Sequence, residues 1–78
     1  MQLDKILETI VENLVIDKDA VSIKSNEEDG KLNLSVEVAK NDMGRVIGKQ
    51  GKTANSIRTL MKSIGSKEGK KVTVEFVG

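Results

Sequence analysis

Two glycines flanked by basic side chains, Gly48 and Gly51, form the part of this 78-residue chain best suited to chemistry. Glycine has no Cβ, so the backbone can turn sharply between the two positions and a ligand can approach it closely. Lys49 and Gln50 occupy the tip between the glycines, and Lys52 follows directly. Backbone amides and ammonium groups arranged in this way favour a phosphate as the ligand.

Helical patterns on both sides should position this glycine turn. Residues 43–47 are predicted to be a helix that ends at the first glycine, with Asn41 or Asp42 as its N-cap. A second helix is predicted to start near Gly51. Its apolar residues recur at the helical period: Ala54, Ile57, Leu60, Met61 and Ile64.

The start of the second helix adds to the predicted anion site. Its first amides have no partner inside the helix, and they carry the positive end of the helix dipole. A phosphate lying across the turn would therefore meet these amides together with those of Lys49, Gln50 and Gly51. Arg45 lies about one helical turn upstream, where it would extend the rim of the site.

Charge is distributed unevenly along the chain, although its net charge is only +1. Residues 1–39 hold four lysines against nine acids, a net −5, whereas residues 40–71 hold nine Lys or Arg against two acids, a net +7. A single basic face of this kind is expected of a protein that neutralises phosphates. Arg58 and Lys62, four residues apart on the second helix, either extend this basic face or simply solvate the helix.

Composition excludes several classes of function. The chain has no Cys and no His, so disulfides, thiolate metal sites and imidazole bases are absent, and we expect no metal and no cofactor. Phe76 is the only aromatic residue, which excludes the stacking platforms of RRM, cold-shock and OB-fold proteins. The sequence shows neither a signal peptide nor an apolar run long enough for a membrane, and this favours a cytoplasmic protein.

The periodicity of apolar residues predicts an α+β domain. Leu3, Ile6 and Leu7 begin a helical stripe that predicts a helix over residues 3–15. Alternation from Val21 and again over residues 31–38 predicts a β-hairpin, with residues 26–30 as its turn.

The last part of the chain is predicted to return to the sheet. Gly65 stands where a left-handed residue would end the second long helix, and residues 66–69 would form a turn. Residues 71–77 alternate again and predict a final strand. Its buried side chains would be Val72, Val74 and Phe76.

The resulting order of helix, strand, strand, helix, helix, strand resembles that of the type II KH domain. The segment Val46-Ile47-Gly48-Lys49-Gln50-Gly51 resembles the Gly-x-x-Gly loop of KH domains, which clamps about four nucleotides of single-stranded nucleic acid. The resemblance covers residues 1–78 as one KH domain and is greatest to the small bacterial single-KH proteins of the KhpA family. It implies a three-stranded sheet with the helices packed on one face.

The resemblance also implies which residues bind RNA. Val46, Ile47, Ala54 and Ile57 would line or support a shallow groove for the bases, unless they serve only as helix core, which is the role we favour for Ile57. Ala54 stands where the KH pattern favours a larger aliphatic residue, so we expect weak base selectivity. The residues leave single-stranded DNA open as a ligand beside single-stranded RNA. The full predicted RNA-binding set is Arg45, Val46, Ile47, Gly48, Lys49, Gln50, Gly51, Lys52, Thr53, Ala54 and Arg58.

Partners and cellular role come from the resemblance alone. It implies a homodimer, or a heterodimer with a larger KH protein of the KhpB (Jag) type. It further implies a role as an RNA chaperone or post-transcriptional regulator linked to the cell envelope and cell shape.

Two other readings compete with RNA binding. Gly51-Lys52-Thr53 resembles the end of a Walker A loop, but Val46 stands where the first glycine is required, and the acids converge on no catalytic site, so we predict that the protein is not an enzyme. The serious alternative is a KH fold that serves mainly as a protein-interaction or dimerisation module. Lys49 and Lys52 beside the turn favour nucleic acid, because a pure scaffold has no need of them.

Overall fold

Residues 2–77, the part of the chain that the computed structural model describes, form three α-helices and three β-strands. The elements are α1 (Leu3–Glu12), β1 (Ser22–Glu28), β2 (Lys31–Glu37), α2 (Met43–Ile47), α3 (Lys52–Lys67) and β3 (Lys71–Val77). Short 3₁₀ turns lie at Lys18–Ala20, Lys40–Asp42 and Lys49–Gly51. The predicted α+β order of elements is confirmed.

The strands form one mixed sheet in the order β1-β2-β3. β1 and β2 are antiparallel, whereas β2 and β3 are parallel, with Leu34 opposite Val74. The chain must therefore cross from the end of β2 to the start of β3, and α2 and α3 make this crossover. The glycine turn lies within the crossover, between the two helices.

One face of the sheet is covered by the helices and forms the core. The buried apolar side chains come from every helix and from β2 and β3, because alternate residues of these strands point toward the helices. Sequence periodicity identified most of this core correctly. Its fully buried large members are Leu7, Val11, Leu34, Val36, Val46, Met61 and Val72.

The hairpin turn is shorter than the sequence predicted. Only Asp29 and Gly30 form it, with φ angles of 52° and 78°, whereas Asn26, Glu27 and Glu28 belong to β1 and pair with β2. A two-residue turn with two positive φ angles matches the right-handed twist of the flanking strands, so the acidic residues can remain in the ladder. The prediction of a turn over residues 26–30 was wrong at its first three positions.

The first helix also ends earlier than predicted, at Glu12 rather than residue 15. The Asn13 side chain donates a hydrogen bond to the Thr9 carbonyl, and the amides of Leu14 and Val15 both donate to the Val11 carbonyl. These bonds close the helix end, because they satisfy carbonyls that have no partner within it. Val15 is nevertheless buried beyond the helix end.

The prediction for Gly65 was wrong. Gly65 lies inside α3, which continues to Lys67, and the left-handed residue is Gly69, with a φ of 72°. Gly65 is buried, and a Cβ there would lie 2.2 Å from Cγ2 of Val72. Its glycine therefore permits close packing of α3 on β3 rather than ending the helix.

Phe76 was predicted to be buried but is partly exposed at the helix-facing side of β3. No helix among the described residues has the length and apolar character needed to cross a membrane.

Candidate nucleic-acid interface

Three of the four residues in the turn between α2 and α3 have positive φ angles. Gly48 has φ 77° and ψ 174°, Gln50 has φ 57°, and Gly51 has φ 75°. The amide of Gly48 donates to the Gly44 carbonyl at 2.9 Å and ends α2. The backbone of Gly48 occupies a region that is essentially restricted to glycine.

Gly48 also lies against the first turn of α3. A Cβ at Gly48 would be 2.2 Å from Oγ1 of Thr53 and 2.9 Å from its backbone nitrogen. Gly51 has open space around the same position. The two glycines therefore have different roles: Gly48 permits a close approach of backbone segments, and Gly51 permits the backbone direction that starts α3.

Two of the amides that the sequence assigned to phosphate binding are already used in the fold. The amide of Gly51 donates to the Gly48 carbonyl at 3.1 Å, and that of Lys52 donates to the Lys49 carbonyl. These bonds make the turn tight. They leave the amides of Lys49 and Gln50, which precede them, as the loop donors best placed for a ligand.

The tip of the turn faces solvent. Lys49, Gln50 and Lys52 are exposed, while Gly48 and Gly51 are partly buried. Within the described part of the chain, no side chain caps the N-terminus of α3. The exposed ammonium groups and the positive end of α3 therefore share one surface, which is suited to an anion.

The predicted groove residues do not all reach the surface. Val46 is fully buried and Ala54 is 2% exposed, so these two can act on a ligand only by supporting the turn from below. Ile47 and Thr53 are partly exposed and lie on either side of the glycine turn. A contact of any of the four with nucleic acid stays a prediction.

Asp42 is the one charged residue among residues 2–77 that is buried. Its predicted role as the side chain that caps α2 was wrong. It precedes α2, but its side chain makes no capping hydrogen bond. Its two carboxylate oxygens instead accept hydrogen bonds from the amides of Ile16 at 3.1 Å and Asp17 at 2.9 Å. This ties the start of α2 to the segment after α1, a contact between residues 25 and 26 positions apart.

Arg45 is held beside this carboxylate. Its Nε lies 3.2 Å from Oδ1 of Asp42, while half of its side chain remains exposed. The guanidinium can therefore keep one nitrogen on Asp42 and present the others to solvent, because it has five donors in a planar fork. Arg45 lies on the exposed side of α2, one turn before Gly48, consistent with the predicted rim.

Acid should weaken the Asp42 contact. The amide hydrogen bonds from Asp17 and Ile16, and to a lesser extent Arg45, outweigh desolvation and hold the pKa of the Asp42 carboxyl below its ordinary value of 3.8. A lowered folded-state pKa contributes stability at higher pH that is lost as the pH falls below the unfolded value. Asp42→Asn keeps only one acceptor oxygen and cannot ionise. We expect the urea midpoint of the parent to exceed that of Asp42→Asn near neutral pH, and the difference to shrink below about pH 4.

Comparing the two proteins at each pH removes the contribution of the other carboxylates. A difference that stayed constant down to about pH 2 would contradict this account of Asp42.

Arg58 connects α3 to β3. Its Nε donates to the Val74 carbonyl at 3.1 Å, its Nη1 donates to Oδ1 of Asn55 at 3.1 Å, and its guanidinium lies 5.4 Å from the centroid of the Phe76 ring. A cation is thus fixed in the groove between α3 and the edge strand β3, against the chain's single aromatic ring. Periodicity placed Arg58 on α3, but Asn55, Val74 and Phe76 as its partners were missed.

The mixed three-stranded sheet, the crossover through α2 and α3, and the Gly-x-x-Gly turn between them define a KH domain of type II. Solved structures with this fold include Aquifex aeolicus Era bound to GDP·AlF4⁻, with a TM-score of 0.61 and 20% identity over 95% of this chain. This chain spans only 29% of that Era chain, so the likeness concerns the fold of one domain.

The family follows from sequence comparison. The family model KhpA/KhpB, KH domain, matches residues 4–76, and the chain belongs to this family. The RNA-binding protein KhpA of Listeria monocytogenes is 43% identical over 75 residues, covering 96% of this chain and 99% of the relative. KhpA of Clostridium acetobutylicum is 42% identical over 73 residues, covering 94% and 97%. The matched family is defined by its KH domain and not by an enzymatic activity.

Proposed function

We propose that the protein binds single-stranded RNA by clamping its phosphate backbone on the turn from Gly48 to Gly51. The observation that carries the proposal is the exposed basic tip of this turn, seated on the uncapped N-terminus of α3. Relatives 38–43% identical over most of the chain are named RNA-binding proteins, which supports RNA as the ligand.

The clamp works through backbone and side chains together. One phosphate accepts hydrogen bonds from the amides of Lys49 and Gln50, and the dipole of α3 adds to the attraction. The ammonium groups of Lys49 and Lys52 neutralise neighbouring phosphates, and Arg45 does so on the other side of the turn. Contacts of this kind supply affinity and a strong salt dependence but little sequence information.

Base contacts fall to the groove between α3 and β3. Arg58 is already fixed there on the Val74 carbonyl and over Phe76, so it can present its remaining donors to a base edge. Ile47 adds partly exposed apolar surface beside the turn. With one aromatic ring in the chain and Ala54 buried, the groove offers little stacking, and we expect modest affinity and weak sequence preference.

The double variant Lys49→Asp with Gln50→Asp tests the clamp. Both side chains are exposed, so the fold and any self-association should be unchanged, while the acidic tip repels phosphate. We expect binding to a labelled single-stranded RNA octamer to weaken by roughly tenfold or more, measured by fluorescence anisotropy at fixed salt.

The matched control is Gln2→Asp with Lys5→Asp, just before α1 and in its first turn, which changes the same residue types by the same charge at exposed positions. It should retain most of the parent's affinity. Equal binding by the loop variant and the parent would refute the clamp. Repeating the titration with DNA of the same sequence measures any preference for the 2′-hydroxyl.

The role in the cell extends this proposal. We place the protein in the cytoplasm, as an RNA chaperone or post-transcriptional regulator that acts as a homodimer or with a KhpB (Jag)-type partner and influences cell envelope and cell shape. A second RNA-binding surface on a partner would raise the avidity of one small domain.

A protein-interaction module is the second candidate function. It is favoured by Leu60, which is 47% exposed on α3 and makes an apolar position available for contact. RNA binding by the parent separates the candidates, because a pure interaction module would self-associate, as measured by sedimentation, but would not bind RNA.

A further inference from the structure

A cavity of about 470 Å³ lies between the second half of α3 and the start of β3, well away from the glycine turn. Three lysines line it, Lys62 from α3, Lys70 just before β3 and Lys71 at the start of β3, together with Ser66, Gly69, Val72 and Thr73. All the charged residues in this lining are basic, which favours an anion as the ligand.

The lysines differ in how much charge they can offer. Nζ of Lys70 lies 3.0 Å from Oε1 of Glu27, so this ammonium is already paired. Lys62 and Lys71 are exposed and form no ion pair within residues 2–77. Thr73 directs its hydroxyl to the Asn33 side chain on the neighbouring strand. The cavity therefore presents two uncompensated positive charges, with Ser66 as a neighbouring hydroxyl.

The cavity lies on the same side of α3 as Arg58. Arg58, Lys62 and Ser66 are spaced by four residues and share one face of α3. Arg58 contacts Val74 and Phe76, whereas Gly65 lies against Val72, so α3 runs antiparallel to β3 and the groove between them leads from the turn to the cavity.

The length of this groove is compatible with a single-stranded RNA of more than four nucleotides. Lys52 and Lys62 are ten residues apart on α3, which corresponds to about 15 Å along the helix axis. A clamp that grips about four nucleotides would leave the following part of the strand in the groove beyond Arg58.

We propose that this cavity is a second phosphate-binding site, in which Lys62 and Lys71 hold the backbone of the RNA strand that the glycine turn clamps. The proposal rests on the proposed function for the identity of the ligand. It assigns a longer binding site to the domain than the clamp alone provides, and it gives Lys62 and Lys71 a role that does not depend on base identity.

The test uses the double variant Lys62→Gln with Lys71→Gln and single-stranded RNAs of four and ten nucleotides. We expect the variant to bind the ten-nucleotide RNA about three- to tenfold more weakly than the parent and the four-nucleotide RNA equally well. The slope of log K against log[salt] for the longer RNA should fall by about 1.4, because two phosphate contacts are lost.

The control is Lys5→Gln with Lys24→Gln, two exposed lysines that do not line the cavity. An equal loss of affinity in this control, or an equal loss for short and long RNAs, would overturn the proposal, because either result indicates only the lower net charge. Unchanged binding of both RNAs would overturn it too. A change in association state with RNA binding intact would assign the cavity to a protein partner instead.

The loop variant distinguishes failure of the second phosphate site from failure of the clamp. If Lys49→Asp with Gln50→Asp weakens binding of both RNAs but the cavity variant weakens neither, the clamp stands and the second site is refuted. If the loop variant has no effect while the cavity variant weakens binding of the longer RNA, the clamp and the idea that both sites hold one RNA strand are refuted, and only the phosphate site in the cavity stands.

Discussion

Gly48→Ala is expected to destabilise the folded protein by about 2–6 kcal/mol, and the fraction that remains folded is expected to bind RNA more weakly than the parent. The backbone of Gly48 has φ 77° and ψ 174°, where a side chain is strained at a cost of about 1–3 kcal/mol. The added Cβ would also lie 2.2 Å from Oγ1 of Thr53 and 2.9 Å from its backbone nitrogen. Relief of this overlap must move the turn away from α3, at a further cost of about 1–3 kcal/mol.

The functional part of this prediction follows from the same displacement. The turn and the first residues of α3 must keep their relative positions if the loop amides and the helix end are to meet one phosphate. A shift of the turn separates them, so binding should fall even where urea titration shows that the variant is folded. Stability is measured by urea denaturation and RNA affinity by anisotropy at a temperature at which the variant remains folded.

Gly44→Ala provides the matched control, one helical turn upstream. Gly44 is helical, exposed and has no atom within 4 Å of an added Cβ. The change should leave stability unchanged or raise it by less than about 1 kcal/mol, because alanine favours the helix. A Gly48→Ala variant as stable as Gly44→Ala would contradict the assigned role of Gly48.

Gly65→Ala is expected to destabilise the protein by about 1–3 kcal/mol without changing the glycine turn. The new Cβ would lie 2.2 Å from Cγ2 of Val72 and 3.2 Å from the Lys70 carbonyl oxygen. Val72 is 1% exposed and branches at Cβ, so its Cγ2 can move aside only if the side-chain rotamer or the backbone of β3 changes. In an exposed helix the same change would stabilise by about 1 kcal/mol, so a loss of stability identifies the packing of α3 on β3 as the cause.

Ser63→Ala is the control for this second prediction, at an exposed position two residues earlier in α3. Thermal and urea unfolding of the two variants should move in opposite directions or differ clearly in midpoint. The four-nucleotide RNA should bind folded Gly65→Ala as it binds the parent, because the clamp lies at the other end of α3. A Gly65→Ala protein as stable as Ser63→Ala would contradict this prediction, because it would show that the Val72 side chain can move aside at no cost.

Local patterns in the sequence were sufficient for most of the fold. Helical and alternating periodicities located α3, β2 and β3, because one face of each element is buried against the sheet or the helices. The spacing of Gly48 and Gly51 predicted a turn between two helices, and both residues have positive φ angles. The resemblance to KhpA proteins was confirmed by the family match over residues 4–76.

Element ends were predicted less well, because competing local signals decide them. Asn13 ends α1 through its own side-chain hydrogen bond although the apolar stripe continues to Val15. Asp29 adopts a positive φ angle and confines the hairpin turn to two residues, so the polar segment before it stays in β1. In both cases a hydrogen bond or backbone angle outweighed the pattern of hydrophobic residues.

The sequence by itself determined the class of the domain and the chemistry of its basic turn, because both depend on residue type at short spacing. Only the tertiary structure decided the tasks of Asp42, Arg58 and Gly65. Their partners lie 25 and 26 positions away for Asp42, 16 for Arg58 and across the α3–β3 turn for Gly65, where local periodicity carries no information. Long-range packing brings those partners within hydrogen-bonding or van der Waals range. It thereby fixes the position of α2 and the groove between α3 and β3.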